Sequence, residues 1–156
     1  MTLSFDGLKH LLGLALHDDR FRAFVNGEAS IPPEVIHVPN RDVFVFRPEG
    51  LTVWAVNGTI TGFLITSHDR DTGSVLTSLH LSLVNNVGFG DTVEDVTAKM
   101  RSFAQKSEVH ANRRTDWYDA DDMRFAFAFN DGFLSTILVQ RLNQDEKMDT
   151  AGSGHI

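Results

Sequence analysis

Two dipeptides, Asn57-Gly58 and Asp131-Gly132, constrain this chain more than any other feature. Each suits the two-residue turn of an antiparallel hairpin, whose positions need a left-handed backbone that Gly, Asn and Asp adopt at least cost. Strand-length apolar runs flank both: Leu51 to Val56 and Thr59 to Thr66 around the first, Phe125 to Phe129 and Leu134 to Leu142 around the second. Phe125, Phe127 and Phe129 alternate with Ala126 and Ala128, the period of a strand with one buried face. The turns align as Gly58-Thr59-Ile60 with Gly132-Phe133-Leu134, and the return strands as Phe63-Leu64-Ile65 with Ile137-Leu138-Val139. The period is about half the chain. It predicts a two-fold duplication of a helix-plus-hairpin unit, with halves of about 1–84 and 85–142.

Helical signals precede each set of strands. Leu8, Leu11, Leu12 and Ala15 share one helical face. Asp18 can cap a second helix that buries Phe21, Phe24 and Val25 and stops at Asn26-Gly27. Ile31-Pro32-Pro33 marks a loop, and Val43 to Phe46 reads as a strand. Thr77, Leu79, Leu81 and Leu83 alternate with polar residues as another strand would. Gly90-Asp91-Thr92 opens the clearest helix, with Glu94 or Asp95 answering the cap and Val93, Val96, Met100 and Phe103 on one face. That face should pack on Phe125, Phe127 and Phe129. Helices set before antiparallel strands predict an α+β fold, an antiparallel sheet of hairpins with helices packed on one face. One domain over 1–142 is expected, with a flexible polar tail over 143–156.

Composition narrows the function classes. The 156 residues are 42% hydrophobic and 22% charged, within the globular range, and long enough to bury a core without a metal or disulfide staple. Zero Cys excludes thiolate chemistry and zinc-thiolate sites. A formal charge of -7 disfavours nucleic acid, whose phosphates require clustered Lys and Arg, and suits a protein partner of basic character. The apolar run Leu11 to Leu16 is too short to span a membrane and lacks a basic leader, so no membrane association and a cytoplasmic location are expected.

Catalytic and metal motifs are weak. There is no Gly-x-Ser-x-Gly elbow, no Ser-x-x-Lys and no phosphate-binding loop around Gly88-Phe89-Gly90. His17-Asp18-Asp19 and His68-Asp69-Arg70-Asp71 bring imidazole and carboxylate together, but adjacent residues rarely chelate one ion. A helix cap and a solvated hairpin tip account for them. Asp119-Ala120-Asp121-Asp122 lacks the Gly and distal Glu of a calcium loop. The expectation is no enzyme activity, no metal and no cofactor.

Two surfaces remain as candidates for partner binding. In the segment Asp116, Trp117, Tyr118, Asp119, Asp121 and Asp122, four carboxylates surround two aromatics of the kind enriched at interface hot spots. A basic partner would be steered by the charges and anchored by the rings. The alternative is a Trp117 that covers the core beside a solvated acidic loop, and the two can coexist. The second surface is the first hairpin: an ideal turn pairs Trp54 with Thr61 and sets Phe63 diagonal to Trp54, with Leu51, Val53, Ala55, Ile60 and Leu64 opposite. Both faces are then apolar, although helices can cover only one, so the Trp54 face either packs on further chain, which is the commoner outcome, or is exposed for a partner.

The run Gly90-Asp91-Thr92-Val93-Glu94-Asp95-Val96, then Asp116-Trp117-Tyr118, the alternating Phe125 to Phe129, Asp131-Gly132 and Leu134 to Ile137 resembles a bacterial module. It is similar to immunity proteins of polymorphic toxin systems and to β-lactamase-inhibitor-like domains, best over residues 86–142. The module's helix commonly ends in Leu-Gly-x-Pro, whereas Met100 to Phe103 here continues the apolar stripe, so a longer helix is expected. The resemblance implies a binding role and no catalytic residue. The leading expectation is therefore a non-enzymatic protein-interaction module, of the immunity type. The alternatives are a small-molecule-binding or enzymatic domain using a helix-sheet cleft, and an oligomeric housekeeping adaptor.

Overall fold

Both hairpin turns form as their dipeptides require. Asn57 and Gly58 have φ of 52° and 79°, and Asp131 and Gly132 have 52° and 85°. The computed structural model describes residues 4–27, 32–68, 83–111 and 113–142. The strand expected at Thr77 to Leu83 (Leu83 apart), the carboxylates of the His68 cluster and the 143–156 tail lie outside them. Two short helices, α1 (Phe5–Lys9) and α2 (Asp19–Gly27), lead into β1 (Glu34–Val38), β2 (Arg41–Phe46), β3 (Leu51–Val56) and β4 (Thr59–Thr66). A 3-10 turn (Val84–Asn86) and α3 (Val93–Lys99) lead into β5 (Ala104–His110), β6 (Arg113–Ala120), β7 (Met123–Asn130) and β8 (Phe133–Arg141). The eight strands form one antiparallel sheet in the order β1-β2-β3-β4-β8-β7-β6-β5. Two four-stranded meanders thus meet at β4 and β8, where Leu64 lies opposite Leu138.

The helices take one face. Phe5 of α1 meets Phe63 and Phe125 with ring centroids 6.5 and 5.9 Å apart, while Phe21 and Phe24 of α2 meet Phe44 and Phe46 edge-on. Val96 and Met100 join the same core, with Val93 and Phe103 packed at its margin. The core expected between α3 and the three phenylalanines of β7 is therefore present.

Local chemistry explains where the helices stop. Thr92 and Asp95 close a capping box at the start of α3. The longer helix does not form: α3 ends at Lys99, and the Phe103 amide bonds the Met100 carbonyl in a turn that leads to β5. The first helix is also shorter than its apolar period suggested. Gly13, at φ 90°, turns the backbone so that its amide donates to Ile60 while Leu14 accepts from Ile60. Leu8, Leu11 and Leu14 still reach the core. Asp18 starts α2 as expected, accepting from the Arg20 amide at 2.8 Å and pairing with its guanidinium. These bonds hold the Asp18 carboxyl at about 2.

Candidate functional site

The face of the sheet turned away from the helices carries an apolar band. Register places Val45, Thr52, Leu64, Leu138, Ala126 and Trp117 side by side on six adjacent strands, between Glu34 and Lys106 on the two edge strands. The neighbouring row carries Ile36, Val43, Trp54, Gly62, Gln140, Arg124 and Asp119. Trp54 and Trp117, each half-buried, thus lie on this outer face. Trp54 lies flat over Gly62, where a Cβ would collide with the indole. The ionisable groups of this face nearly balance: Arg41, Lys106, Arg113 and Arg124 against Glu34, Glu108 and Asp119.

Phe63 is not part of that surface. A bulge between Trp54 and Ala55 pairs Trp54 with Gly62 and Val53 with Phe63, instead of Trp54 with Thr61. One extra residue reverses which face each later side chain takes. Phe63 therefore sits in the core at 0% exposure, and Leu64 takes the outer face in its place.

The acidic aromatic segment is a strand rather than a connection, and its side chains part company. Asp116 and Tyr118 point to the helix side with Phe127 and Phe125, while Trp117 and Asp119 point outward. Asp116 is fully buried and accepts from Arg114 Nε at 2.8 Å, which raises the pKa of that guanidinium. Asp119, also buried, takes a two-pronged bond from Arg124 at 2.8 and 3.1 Å. Asp121 and Asp122 form the exposed turn to β7, Asp121 with φ 57°. Four carboxylates close in sequence do not make one acidic surface here, because two are buried in ion pairs on opposite faces.

Tyr118 is the only tyrosine. Burial pushes its phenol up from the ordinary value of 10.0. Thr97 on α3 offsets part of this rise, yet no hydrogen bond of full geometry closes on the hydroxyl. The fold keeps the neutral phenol, so the associated stability is present below pH 10 and falls as pH rises through the raised value. Phenolate absorbance should therefore appear late in an alkaline titration and together with loss of circular dichroism. Tyr118→Phe, which removes an unsatisfied buried hydroxyl, should leave stability within about 1 kcal/mol and flatten that alkaline limb. Ordinary titration of an intact fold would contradict the burial.

A separate polar cleft of about 390 Å³ opens among the end of α1, the start of α2, the β6–β7 turn and the end of β8. Lys9, His10, Arg20 and Arg141 face it together with Asp121 and Asp122. Arg141 rests on Gly13, whose missing side chain makes room for the guanidinium. Among the described residues, no three His, Asp or Glu side chains are placed to hold a metal ion. No described helix is long and apolar enough to cross a membrane.

No family model matches the chain, and no curated protein matches it. A solved structure does: an extracellular protein containing an SCP domain from Bacillus anthracis, with a TM-score of 0.51 and 11% sequence identity. The match covers 90% of this chain and 47% of that one, so the chain spans about half the length of its neighbour. At this identity the likeness concerns the fold alone.

Proposed function

We propose that this chain is a non-enzymatic protein-interaction module whose partner covers the outer face of the sheet, acting as an immunity-type inhibitor that occludes a cognate toxin or enzyme. The observation that carries the reading is the apolar band holding Trp117, with Trp54 in the row beside it, on the side of the sheet that the described helices do not cover. Eight strands about 4.8 Å apart and about 20 Å long present on the order of 750 Å². That is close to the roughly 800 Å² each partner gives to a standard interface. Tryptophans amid smaller apolar residues are the usual anchors of such surfaces. The nearly neutral charge of this face favours apolar docking over attraction of a basic partner.

The same reading takes the two meanders as duplicated copies. A spacing of 74 positions relates both turns, the bulges at Trp54/Ala55 and Ala128/Phe129, and the sheet residues of the isolated bridges Ala15–Thr59 and Thr92–Phe133. The test begins with a photo-crosslinking residue placed at Leu64 or Thr136 in the native host. Mass spectrometry of the product identifies the partner, and purified components follow. Trp117→Lys and Leu138→Lys should each abolish binding with the fold intact, and the partner should lose its activity when bound. Binding unaffected by both substitutions would end the reading. The polar cleft at Arg141 favours the second reading, a small-molecule domain. Arg141→Ala would then remove a ligand-induced rise in thermal midpoint.

A further inference from the structure

The two edges of the sheet are treated differently. Strand β5 carries Lys106 and Glu108, with Glu108 bonded to His110 and Gln105 to Ser107. Charged and polar side chains of this kind keep an edge from pairing with another chain. Strand β1 is the more apolar of the two edges. Val35, Ile36 and Val38 are 44%, 41% and 46% exposed, three of the five large apolar side chains that stand exposed among the described residues. Its two ionisable groups are committed within the chain, Glu34 towards Arg47 and His37 to Asp42. Among the described residues β1 pairs with β2 alone, so the main-chain groups on its far side have no strand partner.

We propose that β1 is a dimerisation edge, where it pairs antiparallel with β1 of a second copy of this chain. A two-fold axis at Ile36, the middle residue of the strand, sets Ile36 against its own copy, Val35 against His37 and Glu34 against Val38. No like charges face each other in this register, so the strand pairing adds no local repulsion to that between two chains of net charge -7. The pairing is closed: each copy uses its more apolar edge, and the outer edges of the resulting sixteen-stranded sheet are the charged β5 strands. A dimer results rather than a fibre. The outer faces become continuous, because Ile36 lies in the same row as Val43 and Trp54.

The test uses the intact chain at rising concentration. Sedimentation from micromolar to near-millimolar protein should show a monomer giving way to a dimer and to nothing larger. Ile36→Lys places two ammonium groups on the axis and should weaken association by more than about tenfold. Its circular dichroism and thermal midpoint should match those of the wild type at low concentration, since the side chain is already exposed. Absence of cysteine from the sequence provides a second readout that does not depend on this variant. Ile36→Cys should form a disulfide-linked dimer under mild oxidation, whereas Val109→Cys on β5, 62% exposed, should remain monomeric. A wild type that stays monomeric throughout, a dimer indifferent to Ile36→Lys, or equal cross-linking at both edges would each overturn the proposal.

Discussion

Phe127→Ala is expected to lower stability by about 3–5 kcal/mol, the range for emptying a buried aromatic site. For a chain of this size that corresponds to a fall in thermal midpoint of about 10–15 °C. Phe127 is 0% exposed and lies at the centre of β7. Its ring is stacked with Phe125 at 6.0 Å and meets Tyr118 edge-on at 5.7 Å. On the sheet its cross-strand neighbours are Ile137 and Asp116. The site cannot collapse easily, because strands on both sides hold its walls apart. The cavity would also lie next to the buried Asp116 carboxylate, one of whose oxygens has no hydrogen-bond partner. Water entering there would stabilise that charge, which places the expected cost nearer the lower end. Chemical denaturation of wild type and variant measures the difference. A change below about 1 kcal/mol would show that Phe127 does not anchor the core.

Most of the sheet was legible because its signals are local. Asn57-Gly58 and Asp131-Gly132 fix two turns by backbone preference alone, and β7 alternates too regularly to be anything but a strand with one buried face. The faces were harder. Phe63 and Leu64 exchange sides because of one bulged residue, and only Gly62, a glycine inside a strand, hints at it. Strand β6 misled for a different reason. Its inner face carries Arg114 and Asp116, so charge obscured the period-two pattern that Tyr118 continues, and the ion pair that makes burial tolerable cannot be read from spacing. The edge strands were missed because edges have little to bury. β5 is exposed along nearly its whole length, and β1 fills the interval between two prolines, Pro33 and Pro39. The outer face was legible as a question, since both sides of the first hairpin are apolar. Its answer required knowing which side α1 and α2 would take.

Arg124→Ala is expected to cost about 3 kcal/mol, at the low end of what breaking a buried ion pair does. The reason lies in the partner left behind. Asp119 has a side chain only 2% exposed, and Arg124 covers it with two parallel bonds at 2.8 and 3.1 Å. Removing the guanidinium takes away both of these bonds from a carboxylate with little access to water. Arg124 is itself 24% exposed, so water can enter where it stood, which keeps the cost from reaching the upper end. The pair also sits directly opposite Gln140, in the row that holds Trp54, so its loss would loosen the outer face beside the proposed docking band. A double-mutant cycle separates the charge from the packing. Asp119→Asn removes the buried charge, so Arg124→Ala made in that background should cost about 1 kcal/mol or less. If instead the two substitutions add, Arg124 acts through the packing of its alkyl stem, and the pair is not what holds β6 to β7 at this position.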